Sequence, residues 1–280
     1  MAIALALGTS ACYGVANFLG PLFTRRFPLG GVLLVGQVAA MAVAAVAVAA
    51  AGEAAPDGGA IALAAVAGVG NAIGLAAFLR ATELGPVSIA APIGNTGTIL
   101  PVVYGIATGE PLRALEAAGI VLAIGGAVLA ARVPERPDHP PPRDLRGCVA
   151  FAVAGAIGFG VLLVALPPAS EHGRFWALLD ARLALVAFLV VLVLGRRESP
   201  RVPPAALPRL AVPGLLLIAG TLLYVLATEH GAVSIASVCA SLNPVVTVLL
   251  SLALLGERVS RTQAAGIAAA IAGVALIAAH

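Results

Sequence analysis

A chain of 280 residues with a mean hydropathy of +1.06, 61% hydrophobic residues and only 10% charged ones has more apolar surface than a soluble fold of its size can bury, which excludes a soluble domain. Its formal net charge is +3, and all 16 basic residues are arginines placed in short clusters between apolar stretches, without the basic runs interleaved with aromatics that a nucleic-acid surface needs. Cys12, Cys148 and Cys239 lack metal-ligand or redox spacing, and His139, His172, His230 and His280 have no ligand neighbours, so no metal centre and no cofactor are expected.

With about 20 apolar residues taken as one crossing at about 1.5 Å per residue, the sequence predicts spans at 2–23, 29–51, 60–80, 86–107 and 114–132. The first is long enough to span rather than be cleaved, and no basic region precedes it. Residues 133–146 (VPERPDHPPPRDLR) are too polar to cross and too proline-rich for a helix, so they read as a linker. Five more spans follow at 147–167, 175–195, 211–228, 232–255 and 262–279, with a proline-rich loop at 196–209.

The two sets of five are copies. Residues 81–90 (ATELGPVSIA) match 227–236 (ATEHGAVSIA) at eight of ten positions, an offset of 146. The same offset carries Tyr13-Gly14-Val15 onto Phe159-Gly160-Val161. One added residue carries Gly109-Glu110 onto Gly256-Glu257 and Gly119 onto Gly266. A unit with an odd number of crossings enters the membrane from opposite sides in its two copies. The expected architecture is therefore an all-α integral membrane protein of about ten transmembrane helices, built as two inverted five-helix repeats, 1–132 and 147–280. Inverted repeats of this kind recur in secondary transporters, with the substrate site near mid-membrane at the repeat interface.

With these residues in view the chain resembles the ten-helix EamA-type members of the drug/metabolite transporter superfamily. Residues 84–93 (LGPVSIAAPI) look like the family's fourth-helix entry, and Leu242-Asn243-Pro244 followed by Gly256-Glu257-Arg258 looks like its ninth-helix proline and closing loop. Gln263, Gly266 and Gly273 fit its last helix. The resemblance covers all ten predicted spans and implies a secondary transporter of a small organic solute (an amino acid, metabolite or drug-like compound, with export favoured) in the cytoplasmic (inner) membrane. There are departures: Gly97 stands where the second repeat has Pro244, and the arginine that the family often shows early in helix 7 is Arg182 here, with its repeat mate near Gln37. Spans 1 and 6 carry no acidic residue, which speaks against proton-driven export of cationic drugs. The implied partners are the solute and the lipid bilayer, with no nucleic acid; the chain works as a monomer or homodimer, and any coupling ion stays open. A channel or scaffold is the alternative reading. An intramembrane lipid enzyme would need a nucleophile with its base, paired carboxylates or HExxH, and the sequence offers none at membrane depth.

The candidate substrate-binding residues are polar side chains inside predicted spans: Tyr13, Asn17, Asn71, Asn95, Thr98, Tyr224, Ser241 and Asn243, with Thr96 beside them. Tyr13 and Asn17, four apart, share a helix face. By the resemblance, most of these fall on the helices that line the family's central cavity; interhelical hydrogen bonding that only holds the bundle together is the alternative role. Pro92, Pro101 and Pro244 are candidate hinges, because each removes an intrahelical hydrogen bond. Asp180 and Arg182 form the candidate intramembrane charge pair. Glu83, Glu110, Glu229 and Glu257 read as helix-end carboxylates.

Thirteen of the arginines fall in odd-numbered loops, and only Arg113 and Arg174 in even ones. The positive-inside rule then places odd loops in the cytoplasm and both termini outside. The family's usual arrangement has the termini inside.

Overall fold

The computed structural model describes residues 1–24, 26–85, 87–132, 144–195, 200–255 and 260–278. The predicted linker residues 133–143, together with Pro86, Glu257 and the arginines at 25, 136, 143, 196, 197 and 258, lie outside these. Among the described residues every regular element is helical: α1 (Ala2–Thr24), α2 (Leu29–Ala51), α3 (Gly58–Leu84), α4 (Val87–Asn95), α5 (Ile99–Ala107), α6 (Ala114–Ala130), α7 (Leu145–Ser170), α8 (Arg174–Gly195), α9 (Leu207–Glu229), α10 (Val233–Ala240), α11 (Asn243–Leu255) and α12 (Arg261–Ala278). Short 3-10 turns occupy Thr96–Thr98 and Pro204–Ala206. Helices α4 and α5 together make one span, as do α10 and α11. Nine spans among the described residues are long and apolar enough to cross a membrane, and α6, with 17 residues, is the tenth at about 25 Å. The chain is an all-α, multi-pass membrane protein.

Helix ends follow the capping chemistry and shift the predicted bounds. The Asp57 carboxylate accepts the Ala60 N–H at 2.8 Å, so α3 starts at Gly58, and the Asp144 carboxylate accepts the Gly147 N–H at 3.0 Å, so α7 starts at Leu145. Leu145 and Arg146, read from sequence as linker, are therefore helical.

In lipid there is little hydrophobic drive between helices, so close approach of small residues does the packing. Helix α3 runs along α7, and α1 along α9; the repeat offset turns the first pair into the second. Helices α6 and α12 pack on each other through four glycines. Gly119 faces the Gly273 carbonyl and Gly126 faces the Gly266 carbonyl, so that a Cβ on any of the four would overlap partner backbone.

The loops fall on two faces. On one, the Glu53 carboxylate accepts the Phe175 N–H at 3.1 Å, the Trp176 indole donates to the Glu53 carbonyl at 3.2 Å, and His172 and Arg174 approach Asp57 and Glu229 at 3.7 and 3.3 Å. This face, which also carries Glu110, Glu116 and Glu171, is here called the acidic face. On the opposite face, the Asp144 N–H bonds the Leu84 carbonyl at 3.0 Å, and Arg26, Arg80, Arg132, Arg146, Arg201, Arg209 and Arg261 lie at the helix ends.

Candidate functional site

Two spans are broken part-way along their length, at positions related by the offset of 146. In the first, Pro101 has no N–H to return to the Gly97 carbonyl, and the backbone tightens into the 3-10 turn Thr96–Thr98 between α4 and α5. In the second, Pro244 withholds the same bond from Ala240, and α10 ends at Ala240 before α11 restarts at Asn243. Each break is backed by a glycine of a neighbouring helix. Gly160 on α7 lies against the Gly97 carbonyl and Gly14 on α1 against the Asn243 carbonyl, and in both places a Cβ would overlap the oxygen. This gives a physical reason for the repeated Tyr13-Gly14-Val15 and Phe159-Gly160-Val161. Of the hinge candidates, Pro101 and Pro244 adjoin the breaks, while Pro92 sits buried inside α4.

The breaks meet. The Asn95 side-chain amide donates to the Ser241 carbonyl at 3.4 Å, and the Asn17 amide donates to the Asn243 side-chain oxygen at 3.4 Å. These distances are long for amide hydrogen bonds. Asn17 is exposed, and Asn95 and Asn243 are half-buried. The nearby hydroxyls are turned back onto backbone: Thr96 on Ile93, Thr98 on Asn95, Ser241 on Val238, and Thr247 on both Gly14 and Asn243. The asparagine side chains are thus the polar groups held most loosely at this point.

A second cluster surrounds Arg182, which is 4% exposed. Its Nη1 donates to Gln37 Oε1 at 2.6 Å, and its Nη2 to Thr221 Oγ1 at 2.8 Å and to the Leu217 carbonyl at 3.4 Å. Thr221 in turn pairs with the Tyr13 hydroxyl at 3.0 Å. One guanidinium therefore ties α2, α8, α9 and α1 together. Among the described residues Arg182 makes no ion pair with Asp180. The expected charge pair is corrected: side chains two apart on a helix point about 200° apart around the axis and do not face each other. Neutral acceptors hold the charge instead.

Tyr224 is fully buried, donating to the Leu163 carbonyl at 2.6 Å and pairing with Ser237 Oγ at 2.8 Å. It acts as packing between α9, α7 and α10, apart from the asparagines. Asn71 is half-buried on α3 and has no hydrogen-bond partner among the described residues. Gln37, Thr221 and Ser237 escape sequence reasoning as site residues. Isolated hydroxyls in apolar runs give no signal of their own, and only the near equivalence of Gln37 and Arg182 in the repeat points to one of them. Two open apolar grooves, about 640 Å³ along α6 and α12 and about 520 Å³ along α3 and α7, carry no polar side chain in their lining.

Residues 146–279 match the model of the EamA-like transporter family. A solved structure described only as the crystal structure of a protein shares the fold, with a TM-score of 0.76 at 18% identity over 99% of this chain and 96% of its own. Among curated proteins none matches. Residues 146–279 thus carry the EamA-like transporter family's pattern, which places that part of the chain with the drug/metabolite transporters, and one fold runs along the whole length.

Proposed function

We propose that this transporter exports a small, partly apolar organic solute (an amino acid, a metabolite or a drug-like compound) across the cytoplasmic membrane by alternating access. The supporting observation is the meeting of two broken spans at Asn95 and Ser241, with Asn17 and Asn243 beside them. Non-helical backbone at membrane depth persists where it is buried in protein or lines a cavity, and broken spans at a repeat interface are where carriers hold their solutes. Loosely held amides in an apolar bundle suit a solute with a few polar groups. The arginine face is cytoplasmic in this reading, by the positive-inside rule.

The test is growth of a sensitive bacterial host against toxic amino acids, their analogues and hydrophobic drugs. Protection by the wild type that is lost in a well-expressed Asn95→Ala, Asn243→Ala double variant supports export through this site. Absence of wild-type protection against every compound overturns export for the whole panel.

A further inference from the structure

At the acidic face the Glu110 carboxylate sits on the first turn of α10, accepting the Val233 N–H at 2.7 Å, the Ser234 N–H at 3.2 Å and the Ser234 hydroxyl at 2.6 Å. The first turn of a helix has unsatisfied N–H groups and a positive partial charge, so a carboxylate there is held by hydrogen bonds and by the helix dipole together. Behind this contact α10 is closed: Ser237, Val238 and Cys239 are all 0% exposed, and Tyr224 locks Ser237 to the Leu163 carbonyl.

The pseudo-equivalent residues at the arginine face, 146 positions earlier, are packed differently. Tyr224 corresponds to Phe78, Ser237 to Ala91 and Leu166 to Gly20, and all three counterparts are only half-buried. Leu163, which is buried, corresponds to the exposed Asn17. A two-fold repeat packed equally at both ends would show no such difference. At these four positions the acidic-face end is packed more tightly than the arginine-face end, whereas Val238 and its counterpart Pro92 are both buried.

We propose that Glu110 is the latch that keeps the acidic-face end of the pathway shut, and that its release from α10 lets Val233–Ala240 swing to expose the asparagine cluster on that side. The proposal rests on the transport reading, but its test needs no solute, so that failure of one does not mimic failure of the other. The native Cys239, buried on α10, is the reporter, in a Cys12→Ser, Cys148→Ser background. A membrane-impermeant maleimide is applied to intact cells and to inverted vesicles, and a separate Ala55→Cys variant, at an exposed position beyond α2, identifies which preparation presents the acidic face.

Wild-type Cys239 is expected to stay unlabelled from that face. Glu110→Ala is expected to raise its labelling at least about tenfold, the population shift implied by losing hydrogen bonds to a charged group. Glu116→Gln, which removes a carboxylate on the first turn of α6 that among the described residues accepts only the N–H of Arg113, the cap of its own helix, is expected to behave as wild type. Ser234→Ala removes one of the three bonds and is expected to give a smaller rise, which keeps the test open should Glu110→Ala fold poorly. Labelling at the wild-type rate in folded Glu110→Ala or Ser234→Ala protein, or an equal rise in Glu116→Gln, overturns the latch.

Discussion

Asn95 and Ser241 stand 146 residues apart, the offset of the internal repeat, and the Asn95 amide donates to the Ser241 carbonyl. A residue that touches its own counterpart in the sequence repeat joins the two broken spans directly. At 3.4 Å it is a weak tether, able to break as the halves rock. Asn95→Ala is accordingly expected to cost little stability, about 0.5–1 kcal/mol. It is expected to slow solute flux in proteoliposomes about tenfold, the loss of one solute hydrogen bond in a dry site. A thermal midpoint that collapses along with the flux would instead make Asn95 a packing residue.

The Arg182 cluster calls for a cycle of variants. Removing Gln37 leaves a buried guanidinium without its shortest acceptor, whereas removing Arg182 leaves only a neutral amide unpaired. Gln37→Leu is expected to destabilise by about 1–3 kcal/mol or more, because an unsatisfied charged donor is costlier than an unsatisfied amide. Arg182→Met is expected to lose less, and the Gln37→Leu, Arg182→Met double variant is expected to be more stable than Gln37→Leu alone. Unfolding of the four proteins in detergent gives the coupling; simple additivity would mean that the pair is not a unit.

Much of this was legible in the sequence because lipid imposes a simple rule. Every backbone group must be satisfied within a span, so apolar length alone gave the ten crossings. The near identity of residues 81–90 and 227–236 is what makes Asn95 and Ser241 counterparts. The prolines pointed to breaks, but where the backbone departs from the helix depends on the glycines of neighbouring helices, Gly14 and Gly160, and that is a tertiary fact. Of the partners of Arg182 only Gln37 had a sequence signal, its near equivalence in the repeat; Thr221 comes from a third helix, and proximity in sequence favoured Asp180, which the helical twist points elsewhere. Tyr224 looked like a pathway residue from its polarity, yet its hydroxyl is consumed by Leu163 and Ser237.

Acid sensitivity is expected at the α2–α3 loop. The hydrogen bond from the Ala60 N–H holds the Asp57 carboxyl below its ordinary value, with His172 contributing beyond it. A carboxyl lowered on folding adds stability above its unfolded pKa, near 4, and that stability is lost as pH falls through the lower folded value. Asn also caps helices well. Asp57→Asn is expected to match the wild-type thermal midpoint at pH 7 and to lose less of it on titration below about pH 4. Identical acid profiles for the two proteins would remove Asp57 from the account.

The α6–α12 seam separates packing from propensity with two adjacent glycines. A Cβ at Gly126 would overlap the Ala270 nitrogen and the Gly266 carbonyl, backbone atoms that yield only if the two helices part. Gly126→Ala is expected to destabilise by about 1–3 kcal/mol, the usual cost of overpacking. Gly125 is exposed, and a methyl group there would meet nothing within 4 Å, so Gly125→Ala is expected to be neutral or slightly stabilising through helix propensity alone. Thermal midpoints and folded yield in detergent compare them directly. Equal effects of the two substitutions would mean that α6 and α12 are held together by something other than this close approach; a loss confined to Gly126→Ala ties the seam to the glycine pairs that the repeat maps onto each other.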